Sequence, residues 1–191
     1  MPRPTPRLPR QLAVPRTETD ARLTPELASM VTGARRRALR DGGRQIDTAH
    51  LLHSLVESDP TVRAALGPGA QVARVLGYLV QRSIGYGLRW QGSVEDSGAV
   101  PVVRVPGPRA VGGAGAWSPS AVDALEGAVR RAGLRGAARA TGVDVLASLA
   151  ADPECRAMEV LRRAGVDAAG LARRVDAGGR GDTGVAGAEA R

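Results

Sequence analysis

Few residues in this chain are placed to do chemistry. His50 and His53 lie at i, i+3 with Asp47 one turn before them, which could set two imidazoles and a carboxylate on one helix face as metal ligands. A closed metal site draws its ligands from more than one element. No second cluster accompanies these three, so the histidines read as helix-packing residues and no metal site is assigned. Cys155, the single cysteine, opens an apolar helical run, where a lone Cys behaves as a small buried hydrophobe. With one cysteine, neither an intramolecular disulfide nor a Cys-rich metal centre is possible. The sequence has no Gly-x-Ser-x-Gly elbow and no lysine, so it has no phosphate-cradling loop ending in Gly-Lys-Ser/Thr. The expectation is a protein that is not an enzyme and uses no cofactor.

Charge is the other candidate for function. Arg35, Arg36, Arg37 and Arg40 crowd the end of one helical pattern, echoed by Arg130 and Arg131. Cations near a helix C-terminus are each favoured by roughly 0.3–1 kcal/mol, which accounts for the cluster without a ligand. The functional alternative is a surface for an anionic partner formed by Arg35, Arg36 and Arg37. The formal net charge is +8, yet residues 117–176 carry nine Arg against eight acids. Every basic residue is Arg, as GC-rich coding would also produce. Nucleic-acid binding or scaffolding is therefore the alternative function, not the leading one.

The elements that must position these residues repeat. A shift of 94 residues lays Thr24-Pro25 on Ser118-Pro119, and Leu52, Ser54 and Leu55 on Leu146, Ser148 and Leu149; with one deletion, Asp59-Pro60 meets Asp152-Pro153. Thr24 caps a first helix and Pro25 fits its first position. Leu27, Met30, Val31, Ala34 and Ala38 form its apolar stripe, and Asp41-Gly42-Gly43 ends it. Asp47 or Thr48 caps the second helix, which buries Leu51, Leu52, Leu55 and Val56. A short third helix follows Asp59-Pro60, and Val72, Val75, Leu76, Leu79 and Val80 mark the fourth. The plan recurs from Trp117: a fifth helix after Ser118-Pro119, a sixth over Val143 to Leu149, a seventh over Pro153 to Leu161, and an eighth capped by Asp167.

These spacings predict an all-α fold of two tandem, pseudo-twofold-related four-helix repeats. Repeat 1 spans 23–90 and repeat 2 spans 117–176, joined by a Gly/Pro/Val linker over 91–116. Residues 1–22, rich in Pro and Arg, and residues 177–191 are expected to be disordered tails. The N-terminus looks like neither a signal peptide nor an anchor, and no run approaches the roughly 18 apolar residues of a membrane span. A cytoplasmic protein without membrane contact is the expectation.

The pattern resembles the Clp N-terminal repeat domain, the substrate-receiving module of the ClpA, ClpB and ClpC unfoldases. Leu23-Thr24-Pro25 and Trp117-Ser118-Pro119 match its two repeat starts. Ala49-His50-Leu51-Leu52 matches its second-helix motif with the Glu replaced, Val143-Asp144-Val145-Leu146 matches in character, and Asp167 to Leu171 resembles its repeat ending. The resemblance covers roughly residues 23–176 and implies a double-repeat, non-catalytic polypeptide-binding module without the ATPase. Its partners would be polypeptide substrates, adaptors or Clp unfoldase subunits, and Clp-directed cyclic peptides; it would act as adaptor, regulator or decoy. The implied contact residues are Leu23, Thr24, Trp117 and Ser118. In the ClpC branch a Thr and a Glu bind phosphoarginine; here the Glu positions fall on Ala49 and Val143, which cannot grip a guanidinium. The hydroxyls of Thr24 and Ser118 still stand at helix N-termini that favour an anion.

Overall fold

Thr24 and Ser118 open two 16-residue helices in the same way. Both have extended backbone (φ −65°, ψ 155° and φ −66°, ψ 152°), and their hydroxyl oxygens accept from the amides of Leu27 (3.3 Å) and Ala121 (3.1 Å). Pro25 and Pro119 then occupy a position where no amide partner is lost. The computed structural model describes residues 21–43, 45–83, 95 and 116–181, with 177–181 as backbone alone. Their elements, in order, are α1 (Pro25–Arg40), β1 (Gln45–Ile46), α2 (Thr48–Ser58), α3 (Pro60–Leu66), α4 (Gly69–Ser83), β2 (Ala116–Trp117), α5 (Pro119–Leu134), α6 (Gly142–Ala150), α7 (Arg156–Arg163) and α8 (Ala168–Gly181). The protein is mostly helical, as its periodicity predicts.

The ends of α1 and α5 are also alike. Gly42 (φ 65°) and Gly136 (φ 74°) take the left-handed conformation that glycine adopts without strain. The next amides, of Gly43 and Ala137, then reach back to the carbonyls of Ala38 and Ala132, both at 2.9 Å. Asp59 stops α2 and starts α3, its carboxylate accepting from the amides of Thr61 (2.8 Å) and Val62 (3.2 Å). Asp167 does the same for α8, toward Ala169 (3.1 Å) and Gly170 (2.9 Å).

Three boundaries differ from the sequence reading. α7 begins at Arg156, not Pro153, because Pro153 and Glu154 form a turn in which the Asp152 carboxylate accepts from the Glu154 amide at 3.2 Å. α8 continues to Gly181, five residues past the expected end of the ordered region. Ala116, assigned to the linker, is in β2, and Glu95 near the start of that segment is buried. The remainder of the expected linker, residues 1–20 and residues 182–191 lie outside the described residues.

Two short parallel contacts join the halves before and after residue 95. β1 pairs with β2 in the register Gln45 with Ala116 and Ile46 with Trp117, and an isolated parallel bridge joins Leu23 to Ala140. Moved by the same 94 residues, Leu23 becomes Trp117 and Ile46 becomes Ala140, so each bridge maps onto the other with its partners exchanged. The helices follow suit. α1 packs on α2 and α5 on α6, but α3 packs on α6 and α8, while α7 packs on α2 and α4. The third helix of each half thus completes the other, and the buried residues of both halves form one core. Ala34, Ala38, Ala128 and Ala132 are almost fully buried in the α1–α2 and α5–α6 contacts. Leu27, Leu52, Leu146 and Leu171 are fully enclosed, each stabilising the fold by about 1.5–3 kcal/mol. Among the described residues no helix is long and apolar enough to cross a membrane.

Candidate functional site

The polar chemistry of the interior concentrates where α2 and α7 begin. The first helical residues of these helices are Thr48 and Arg156, whose amides have no intrahelical partner. Both amides donate to one buried carboxylate, that of Glu95, at 2.9 and 2.8 Å. The Thr48 hydroxyl donates to the same group, as does the Ser118 hydroxyl at 2.7 Å. Each hydroxyl also accepts, from the amides of Ala157 (3.0 Å) and Ala121 (3.1 Å), so both are oriented toward the anion. Two helix N-termini and two fixed hydroxyls therefore cradle a carboxylate that is 5% exposed. The donors come from both halves of the chain.

Asp47 lies next to this cradle. It caps α2 by accepting from the His50 amide at 3.1 Å, and its other oxygen receives Arg156 at 2.6 Å and Arg82. His50 Nδ1 lies 2.7 Å from Asp47 Oδ1 and accepts from the Asp47 amide at 3.2 Å, which completes a capping box at the start of α2. Burial by itself raises the Asp47 pKa; the His50 side chain and the Arg82 and Arg156 guanidinium groups outweigh it and hold the carboxyl well below the usual range. Arg156 reaches across the halves, from α7 to the cap of α2.

The second half builds the corresponding helix start differently. Thr141 caps α6, and Asp144, in the place of His50, accepts from the Thr141 amide and hydroxyl, both at 2.9 Å. Arg135 binds both oxygens of Asp144. Burial raises the Asp144 pKa, but Arg135 and Thr141 more than offset it and the net shift is downward. Gly142 stands where the first half has Thr48, and a methyl there would intrude on Asp59 Oδ2 and approach Leu55 Cδ2 to 3.2 Å.

The residues singled out in the sequence fall into different environments. Leu23 and Ser118 are buried, Leu23 in its bridge to Ala140 and Ser118 under Glu95. Thr24 is half-buried, and its amide donates to Ala140 O at 3.0 Å. Trp117 is half-buried, with the exposed Arg35 guanidinium 5.5 Å from its ring centroid. Arg37 pairs with Glu57, whereas Arg36 is exposed. The three arginines read as one surface therefore have three settings. Ala49 is fully buried and Val143 half-buried.

His50 and His53 do not converge on a common centre: His53 Nε2 lies 3.3 Å from Glu57, away from Asp47. Burial, with Arg37 nearby, lowers the His53 pKa to about 4, so the ring is neutral near pH 7. Cys155 is buried, and burial pushes its thiol up to about 12. A thiol so protonated is a poor nucleophile. Among the described residues no group of three His, Cys, Asp or Glu is arranged to hold a metal ion.

No protein-family model matches the sequence, and no curated protein is similar to it. Among solved structures, the chain is similar to one described as "Preliminary structural investigations of a malarial protein secretion system". The TM-score is 0.57 at 11% identity, covering 83% of this chain and 95% of that one. At that identity the likeness shows a shared fold and nothing further.

Proposed function

We propose that the chain is a non-catalytic polypeptide-binding module made of two tandem, pseudo-twofold-related four-helix repeats of the Clp N-terminal kind. The observation that carries this reading is the exchange of bridges, Leu23 with Ala140 and Ile46 with Trp117, under the same 94-residue shift that aligns the two Thr/Ser-Pro starts. The matching ends at Gly42 and Gly136 and the reciprocal packing of α3 and α7 support it. Such a module would deliver clients or adaptors to a Clp unfoldase or compete for them. Competition needs the fewer surfaces. Trp117, with Arg35 over its ring, and Thr24 are the parts of the paired starts that reach the surface. Ser118 already holds a carboxylate, which favours ligands other than a second anion at that start.

Calorimetry with Clp-directed cyclic peptides, an unfolded polypeptide and phosphoarginine tests this. Binding of a cyclic peptide or the polypeptide that weakens in Trp117→Ala is the expected result. No binding to any of them overturns the proposal, and strong phosphoarginine binding indifferent to Trp117 overturns the assignment of the face.

A further inference from the structure

A cavity of about 510 Å³ opens between α1 and α2, and its lining shares no residue with the Glu95 cradle. Five charged residues line it, and their pairing is uneven. Arg37 and Glu57 neutralise each other. Arg36 and Arg40 stand one turn apart near the end of α1, both exposed, with no acidic partner for either among the described residues. Like charges at this spacing oppose the helix, an arrangement that an arriving anion would relieve. Ser54 adds a buried hydroxyl, 4% exposed and without a hydrogen-bond partner, on the same lining. At the opposite end, in the first turn of α1, Glu26 is exposed and likewise unpaired.

The second half indicates which of these features matter. Ser148, the counterpart of Ser54, also lacks a partner, so the hydroxyl alone marks nothing. The cations differ. Arg131 pairs with Asp176, Arg130 lies 3.9 Å from Glu126, and Leu134 stands where α1 has Arg40. Both helix ends favour cations, yet of these two helices α1 is the one that leaves two of them side by side without acids among the described residues.

We infer that this cavity binds a polypeptide segment with opposite charges at its two ends: an oxyanion side chain, carboxylate or phosphoryl, on Arg36 and Arg40, and a basic side chain on Glu26. Guanidinium forks suit a planar or tetrahedral oxyanion through paired hydrogen bonds. Glu26 is ten to fourteen residues from Arg36 and Arg40 on one helix, about 15–21 Å at roughly 1.5 Å per residue. An extended chain covers that distance in about five or six residues at roughly 3.3 Å each. A nucleic-acid strand would bring further phosphates toward Glu26, so a polypeptide fits better than a uniform polyanion. The inference rests on the polypeptide-binding reading above but places the ligand on a different face from Trp117.

Fluorescence anisotropy of the full chain with three labelled eight-residue peptides and a single-stranded oligonucleotide tests it. Two peptides carry phosphoserine or glutamate five residues from an arginine; the third carries lysine in place of the acid. The charge-matched peptides should bind and the all-basic one should not, with affinity falling about tenfold in Arg36→Gln/Arg40→Gln, as loss of a charge-assisted contact implies. Glu26→Gln should weaken binding less, and Trp117→Ala should leave it unchanged. Tighter binding of the phosphoserine peptide assigns the phosphoryl form, and equal binding assigns the carboxylate. Peptide binding indifferent to Arg36 and Arg40 but lost in Trp117→Ala overturns this site while leaving the module's polypeptide binding in place. No peptide binding overturns the site, and preferential oligonucleotide binding overturns it in favour of nucleic acid.

Discussion

The two halves begin their second helices with the same backbone and opposite chemistry. In the first half an acid, Asp47, caps α2 and a histidine follows at the third position; in the second, neutral Thr141 caps α6 and the acid, Asp144, follows. The difference lies in where the compensating charges originate. Asp144 is answered locally, by Arg135 nine residues earlier. Asp47 is answered by Arg82 at the end of α4 and by Arg156 from the other half, and Glu95 is added beside them. One helix start is self-contained, whereas the other fastens the two halves together.

Removing the acids should separate the two cases most clearly. Asp47→Ala removes a 1% exposed carboxylate that accepts from Arg156, Arg82 and the His50 amide, and should cost about 3–5 kcal/mol, the usual penalty for breaking a buried pair. Asp144→Ala should cost about 1–3 kcal/mol, because the Arg135 side chain is 23% exposed and reaches solvent. Urea denaturation of both variants checks the order, and equal losses would remove the distinction. Glu95→Gln ranks next. The amide keeps one acceptor oxygen but turns two donors toward the Thr48, Ser118 and Arg156 donors, and a loss of about 1–3 kcal/mol should follow.

Gly142→Ala probes the quieter side. The new methyl displaces Asp59 from its cap on α3, a loss of about 0.5–2 kcal/mol. The better helix propensity of alanine, about 0.5–1 kcal/mol, offsets part of it, leaving a small decrease in melting temperature. A further expected effect is a pH dependence arising in the first half. The folded-state pKa of His53 is lowered from 6.5 to about 4, so the unfolded chain takes up the proton first as pH falls. The stability this ring contributes is complete above pH 6.5 and is lost progressively on acidification toward pH 4. Denaturation midpoints across that range should fall less steeply in His53→Asn than in the native protein.

Much of this architecture was legible where the determining chemistry is local. Thr24-Pro25, Ser118-Pro119 and Asp59-Pro60 announce helix starts, because a cap needs one oxygen and a position where a missing amide does no harm. Gly42 and Gly136 announce the ends of α1 and α5 for the same reason. What no local pattern carries is the partner of each buried face. The stripe in α3 identifies Val62 and Leu66 as inside, but not that they face α6 and α8 of the other half. Glu95 is one of two adjacent acids in an aperiodic segment, and Arg82 and Arg156 resemble ordinary surface cations at helix ends. Their roles exist only once the helix starts that receive them have been brought together. The proline at 153 also misled, since it forms a turn ahead of α7 and not its first residue.

The measurement that bears most directly on the fastening of the two halves is amide hydrogen exchange at Thr48 and Arg156. These donors sit in different halves and share one acceptor, the Glu95 carboxylate. Both should be strongly protected in the native protein, and Glu95→Gln should accelerate them together while the Asp144 amide, in the self-contained helix start, keeps its rate. Continued protection of both amides in Glu95→Gln, or acceleration of one without the other, would contradict a seam closed by that carboxylate.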